Sequence, residues 1–262
     1  MESAEIAIIG GTGVADPKMF ADAKDVKVDT PYGNPSDSVS IGKFSGRKIA
    51  ILSRHGRGHT KAPHLINYQA NIWALKELGV KWVLAPCAVG SLQENIHAGE
   101  FVFVDQFIDR TQARKSTFYE GDTVCHISAA DPVCPTLGEL LKKSADKLKL
   151  KYHPRGTYIC MEGPRFSTRA ESHLYQSWGA SVIGMTMVPE CVLAREAEMC
   201  YASIAMVTDY DCWKEHNVNI KEIVATMTAN IKKVKNLLTD VVEKIPKTRN
   251  CSCANALEGA LI

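Results

Sequence analysis

An α/β fold built on a central sheet is what this sequence predicts, and three observations predict it. Short apolar runs bounded by glycine or polar clusters recur along the chain, segments with helical spacing lie between them, and residues 181–211 read as strand, helix, strand. In that last stretch an apolar run ends in Gly184-Met185-Thr186. A helical run with Glu190 and Glu196 follows, and a second apolar run, residues 201–207, ends in Thr208-Asp209-Tyr210-Asp211. Two such strand ends are expected side by side at the carboxyl edge of a parallel sheet, where ligands of open α/β folds sit. The first end offers a hydroxyl, a backbone amide and a thioether. The second offers two carboxylates, able to accept hydrogen bonds from an amino group and to give a proton to a ring nitrogen. A solvated loop is the plain alternative for a lone Thr-Asp-Tyr-Asp, but here that motif stands beside several other polar strand ends.

Taken in order, residues 5–9 form an apolar strand that runs into Gly10-Gly11-Thr12-Gly13, a turn that lets backbone amides approach an anion. A dinucleotide fingerprint would need a third glycine where Asp16 stands, followed by Pro17, and a phosphate loop would need a Lys-Ser or Lys-Thr. Asp29 lies at the distance the dinucleotide fingerprint expects and keeps that reading open. The favoured reading is a phosphate clip to which Thr12 adds a hydroxyl. Residues 30–37 are turn-rich, and residues 39–44 and 48–52 read as a hairpin through Ser45-Gly46-Arg47. The second strand delivers Ser53-Arg54-His55-Gly56-Arg57-Gly58-His59, a glycine-broken basic segment suited to a bidentate guanidinium grip on an anion. A helix is predicted over 64–78, stopped by Gly79.

Residues 81–85 read as a strand ending in Pro86-Cys87-Ala88-Val89-Gly90-Ser91, and 101–108 as another strand before a charged loop over 109–123. His126, in an apolar setting, reads as a core histidine. A helix over 137–148 and a strand over 156–161 follow. That strand leads to Phe166, placed to stack on a flat ring or to plug the core, and to Ser167 or Thr168, either able to cap a helix through Trp178. A long helix occupies 220–245. The absence of internal repeats favours one domain over residues 1–262, with a short tail at about 247–262.

The 262 residues carry a formal net charge of +2, so nothing electrostatic calls for nucleic acid or an anionic membrane. No apolar run approaches the roughly 20 residues of a membrane span, and the start lacks the basic region of a signal peptide, so the cytoplasm is expected. Cys87, Cys125, Cys134, Cys160, Cys191, Cys200 and Cys212 lie in apolar or helical contexts, where cysteine acts as a small buried hydrophobe. Cys251 and Cys253 stand apart in a polar tail, and the residues leave three readings: a strained disulfide, half a metal site, or two thiols. No second ligand pair at zinc-like spacing accompanies them, which ranks metal last.

The strand ends add up to an anion site, a stacking surface and an acidic pair, the parts needed for phosphate to attack a sugar while a nitrogenous base leaves. The segments GGTG, TPYGNPSD, RHGRGH, NYQANIWALK, DQFIDRT, EGPRFSTRAES, GMTMVPE and TDYDCW closely resemble those of 5'-methylthioadenosine phosphorylases, within the trimeric purine nucleoside phosphorylase superfamily. The likeness runs from about Ile6 to Trp213. It implies a nucleoside phosphorylase-like fold, a mixed sheet flanked by helices, assembled as a homotrimer or homohexamer. It also implies phosphorolysis of 5'-methylthioadenosine to adenine and 5-methylthioribose 1-phosphate, with phosphate as co-substrate and neither cofactor nor metal. By this resemblance Thr12, Arg54, His55, Cys87, Ala88 and Thr186 hold phosphate and Met185 the ribose. Phe166 lies against the base, Thr208, Asp209 and Asp211 read and protonate it, and His126 reaches a neighbouring subunit's site, against the core reading above. The Cys-Ser-Cys tail is similar to that of some archaeal members, which implies a disulfide there. Cys87 stands where the resemblance expects Thr or Ser, a poorer donor in the phosphate site.

Ionised carboxylates accept from the amine of adenine but oppose the carbonyl of hypoxanthine or guanine, which favours an adenine nucleoside. Two alternatives stand beside it: a broad-specificity purine nucleoside phosphorylase, which a protonated aspartate would permit, and a non-catalytic nucleotide-binding protein. The 5' pocket is expected from residues after Trp213.

Overall fold

The computed structural model describes residues 2–11, 13–15, 20, 22–214 and 220–262. Among the described residues eleven strands form one mixed sheet and five α-helices pack against it. In chain order these are β1 (Ile6–Gly10), β2 (Lys24–Val26), β3 (Val39–Phe44), β4 (Arg47–Ser53), α1 (Tyr68–Glu77), β5 (Trp82–Ser91), β6 (Phe101–Phe103) and β7 (Gln106–Arg110). There follow α2 (Pro135–Lys147), β8 (Tyr152–His153), β9 (Thr157–Met161), α3 (Arg169–Ser177), β10 (Val182–Gly184), α4 (Met187–Glu196), β11 (Cys200–Asp209) and α5 (Ile220–Lys244).

Period-two alternation sorts the central strands between two cores. On β1, Ala7 and Ile9 join one apolar cluster with Ile72 and Leu75 of α1 and Cys191 and Leu193 of α4. Ile6 and Ile8 join the other, with Leu137 and Leu141 of α2 and Val234, Leu238 and Val241 of α5. Because both faces are covered, β1, β5 and β11 are apolar almost without interruption. Each fully buried aliphatic side chain contributes about 1.5–3 kcal/mol, and the two clusters together hold the helices to the sheet.

β5 is the axis. It pairs in parallel with β1 at its start, from Ile6↔Trp82 to Ile8↔Leu84, and antiparallel with β10 at its end, Val182↔Ser91 and Ile183↔Gly90. β11 runs parallel to it throughout, so residues 85–89 pair with β11 and with neither β1 nor β10. The strand–helix–strand unit over 181–211 therefore exists, but its two strands do not pair with each other: β5 lies between them, and β10 and β11 point in opposite senses. Their ends still converge, because β10 runs back along the end of β5.

Other expectations are corrected. Pro86-Cys87-Ala88-Val89-Gly90-Ser91 is not a loop after a strand; β5 continues through it, its ladder to β11 unbroken at Pro86. The single strand expected over 101–108 is two, broken at Val104-Asp105, with β6 on β11 and β7 on β9. The Asp105 N–H donates to the Gly156 carbonyl, and the Gly156 N–H donates back to the Asp105 carboxylate, which holds the break. The helix expected from residue 64 begins at Tyr68, where Asn67 caps the Ala70 N–H; residues 63–65 are a short 3₁₀ turn. β2 and β8, at three and two residues, carry too little pattern to read. The hairpin turn is Ser45-Gly46 alone, both at positive φ. Thr168 rather than Ser167 caps α3, in a reciprocal box with Glu171. No helix among the described residues is long and apolar enough to cross a membrane.

Candidate functional site

A cavity of about 550 Å³ opens where the ends of β5, β10 and β11 meet the segment after β4. It is lined by ten of the residues singled out from the sequence: Arg54, His55, Cys87, Ala88, Phe166, Met185, Thr186, Thr208, Asp209 and Asp211. Gly11 also borders it, whereas Thr12 lies outside the described residues. Asp29 is exposed and does not line the cavity, which counts against the dinucleotide reading; residues 16–19 after the Gly-rich turn lie outside the described residues.

Arg54 is 1% exposed, and its grip is already engaged. Nε and Nη2 donate to the two carboxylate oxygens of Glu190 at 2.6 and 2.8 Å, Nη2 donates also to the Ile9 carbonyl, and Nη1 faces the Pro86 carbonyl at 3.4 Å. Burial works against its charge, but Glu190 outweighs it and the guanidinium stays protonated. The free bidentate fork expected from the sequence is thus corrected: this fork closes on an internal carboxylate, and a single Nη1 hydrogen remains for a ligand. Tyr201 of β11 donates to the same Glu190 at 2.9 Å. Glu190 is legible as a site residue only indirectly, as a glutamate inside the apolar run MTMVPECVLA, which requires a buried cation.

His55 donates from Nδ1 to the Lys61 carbonyl at 2.9 Å, since a carbonyl can only accept. Burial, assisted by the nearby Arg54, pushes its pKa down to about 4. At neutral pH the ring is therefore uncharged and Nε2 is an acceptor. His59 stacks on it with ring centroids 4.3 Å apart.

Thr186 is set by Tyr158, a residue that nothing in its local sequence marks. The Tyr158 hydroxyl accepts from the Thr186 N–H at 3.3 Å and lies 3.5 Å from its Oγ1. Gly184 makes this approach possible: a Cβ there would sit 2.0 Å from the Tyr158 oxygen. Cys87 is buried, with Ser203 Oγ 3.6 Å from its sulfur, and burial pushes its thiol up, so it stays an S–H. Ala88 is the exposed position of β5.

At the acidic pair the pairing of β11 with β5 slips by one residue: Val207 opposes Val89 and Asp209 opposes Gly90, leaving Thr208 between them as the extra residue, its Oγ1 3.2 Å from the Val89 carbonyl. Gly90 eases a close approach, because a Cβ there would crowd Asp209 Oδ1 at 3.1 Å and Asp211 at 3.2 Å. Asp209 accepts from the Asp211 N–H at 2.8 Å, and its Oδ2 lies 2.7 Å from Thr208 Oγ1. Burial, with Asp211 adding to it, raises the Asp209 pKa. Asp211 sits at φ 50° and accepts from Ser167 Oγ, which fixes one of its oxygens. Phe166 is 45% exposed and borders the cavity, so it does not plug the core. Ile223, Val224 and Met227 of α5 give the cavity an apolar wall.

His126 does not line this cavity. It is exposed, in a segment that pairs by backbone with residues 260–262, and the core reading is corrected: the side chain faces outward rather than into an apolar cluster.

A family model for the phosphorylase superfamily matches residues 5–243. The chain belongs to the phosphorylase superfamily. Within this superfamily it is 55% identical to the S-methyl-5'-thioadenosine phosphorylase of Nitrosopumilus maritimus, over 98% of the chain and 97% of that protein. A methylthioadenosine phosphorylase from an antarctic soil metagenomic library superposes with a TM-score of 0.95 at 41% identity, covering 100% of this chain and 93% of the other. The Schistosoma mansoni methylthioadenosine phosphorylase in complex with adenine gives 0.92 at 36% identity, covering 98% and 97%.

Replacing Glu190 by Gln leaves the Arg54 charge buried without its counter-charge. The expected result is a loss of roughly 3 kcal/mol of stability, read as a fall in Tm by calorimetry. An unchanged Tm would show that the pair contributes nothing.

Proposed function

We propose that this chain phosphorolyses 5'-methylthioadenosine, releasing adenine and 5-methylthioribose 1-phosphate. The observation that carries the reading is that one cavity joins three chemistries: an acidic pair at Asp209 and Asp211, an anion site around Arg54, His55 and Thr186, and an apolar wall from α5. The names of its relatives in the superfamily support it.

Phosphate is held by Arg54 Nη1, Thr186, the Cys87-Ala88 strand segment and, by resemblance, Thr12. The neutral His55 accepts at Nε2 from the hydroxyl of hydrogenphosphate. Met185 packs on the ribose and Phe166 on the base. The remaining oxygen of Asp211, with Thr208, takes the exocyclic amine. Asp209, protonated more readily because it is buried, gives its proton to the base as the C–N bond breaks. A phosphate oxygen then closes on the anomeric carbon, whose positive charge the anion stabilises. Phosphate serves as co-substrate. Ile223, Val224 and Met227 receive the methylthio group, which needs no hydrogen-bond partner. His126 reaches the site of a neighbouring copy in a trimer or hexamer, and the enzyme works in the cytoplasm.

Base release from methylthioadenosine, adenosine and inosine, with and without phosphate, tests the reading. Methylthioadenosine is expected to be cleaved best and only with phosphate; equal cleavage of inosine would replace the reading with a broad purine specificity. Val224→Asn, at an exposed position, is expected to raise KM for methylthioadenosine about tenfold and to leave adenosine nearly unchanged.

Asp209→Asn is expected to lower kcat by about 10²–10⁴ and to remove the alkaline limb of the rate profile, along which Asp209 loses its proton. Stability should move the other way. A carboxyl whose folded pKa is raised costs stability as pH climbs from its ordinary value towards the folded one, and the full cost is present above the folded pKa, so the variant should have the higher Tm at pH 7. That gain should vanish below the ordinary carboxylate range, where Asp209 is protonated in both states. A Tm difference independent of pH would refute the assignment.

Cys87→Thr places a stronger donor in the phosphate site, and KM for phosphate is expected to fall about 2- to 10-fold, the range of one neutral hydrogen bond. An unchanged KM would mean that only the backbone serves there.

A further inference from the structure

We infer that Cys134, Cys200, Cys251 and Cys253 hold one zinc-class divalent cation as a tetrathiolate that clips the end of the chain to the sheet. The four sulfurs all lie within 4.8 Å of one another. Cys251 Sγ is 3.8 Å from Cys134 Sγ and 3.4 Å from Cys200 Sγ. Four thiolates at the usual Zn–S distance of about 2.3 Å form a tetrahedron with edges of about 3.8 Å, so the cluster has the size such an ion requires. Only thiol sulfur is offered, the donor set that selects zinc over hard cations.

Rigid elements hold the ligands. Cys134 caps α2 and donates its N–H to the Tyr201 carbonyl at 2.8 Å, and Cys200 opens β11. Cys251 and Cys253 enclose the start of a 3₁₀ turn, Ser252–Asn255. Cys134, Cys200 and Cys253 are buried and Cys251 is half-buried. A second cavity of about 460 Å³, bordered by Cys134, Arg195 and Ser252, gives an ion access. The ligand pair that sequence spacing failed to supply is thus present. Two cysteines expected to be plain core hydrophobes face the Cys-Ser-Cys, brought together from positions too far apart for any spacing rule.

The clip does more than close the tail. Beyond it, Ala260 and Ile262 pair by backbone with residues 124–126: Ala260 O accepts from the His126 N–H at 2.8 Å, and Val124 and Ile262 exchange bonds at 3.0 and 3.1 Å. Fixing Cys251 and Cys253 therefore fixes the strand partner of the segment that carries His126.

The full chain, produced with zinc and purified under reducing conditions, is to be measured for metal by emission spectrometry and titrated with Co²⁺ after zinc removal. One zinc per chain is expected, with the thiolate-to-cobalt charge-transfer band and strong visible bands of a tetrahedral sulfur site. Cys134→Ser with Cys251→Ser should abolish both signals and lower the zinc-loaded Tm by about 5 °C or more. Hydrogen exchange on the zinc-free wild type should rise over 251–262 and 124–126 together. Less than a tenth of an equivalent of zinc would overturn the proposal, whether the denatured chain shows every thiol reactive or four fewer, as two disulfides require. A cobalt spectrum retained in the double variant would overturn it equally.

Discussion

The guanidinium of Arg54 lies where β1, β5 and α4 meet, and its contacts hold the three together. It donates to the Ile9 carbonyl, faces that of Pro86, and closes a bidentate pair with Glu190, which also accepts from Tyr201 of β11. A pair this deeply buried is a poor source of net stability, because both ions give up water to form it. Its value is geometric. Neither charge can leave without exposing the other to an apolar interior, so the end of β4, the start of α4 and the centre of β5 keep one relative position. Arg114 acts similarly on the neighbouring strand end, donating to the carbonyls of Met161, Glu162 and Val188.

This constraint shapes the electrostatics of the cavity. With the fork of Arg54 engaged by Glu190 and His55 held neutral by burial, the proposed anion site offers little unbalanced positive charge. What it offers are directed donors and acceptors: one Nη1 hydrogen, an imidazole acceptor, the Thr186 hydroxyl set by Tyr158, and a strand segment that pairs on one side only. The acidic side follows the same logic of position. The register slip in β11 and the missing Cβ of Gly90 let Asp209 sit against strand backbone, where burial favours its protonated form.

The end of the chain belongs to the same architecture. The four sulfurs gather where α2 begins and β11 starts, and the last residues then pair with the segment around His126. A feature that looks like a polar appendage in the sequence is one more tie between a distant segment and β11, beside the Glu190–Tyr201 bond and the β5 and β6 ladders.

Local chemistry is legible in the amino-acid sequence by itself. Apolar runs mark β1, β4 and β11, Ser45-Gly46-Arg47 marks the hairpin to within a residue, and polar or small-residue clusters at strand ends mark ten side chains that line one cavity. These signals are local because side-chain alternation, turn residues and caps act within a few residues. The tertiary structure decided what those residues do to one another. It separated β10 from β11, carried β5 through Pro86, closed Arg54 on Glu190, and set Tyr158 behind Thr186. It also brought the apolar wall from α5 and joined Cys134 and Cys200 to Cys251 and Cys253. Each depends on which segments the sheet order places side by side. That order is settled by the packing of two cores and the satisfaction of buried charges across the whole chain, which no local pattern encodes.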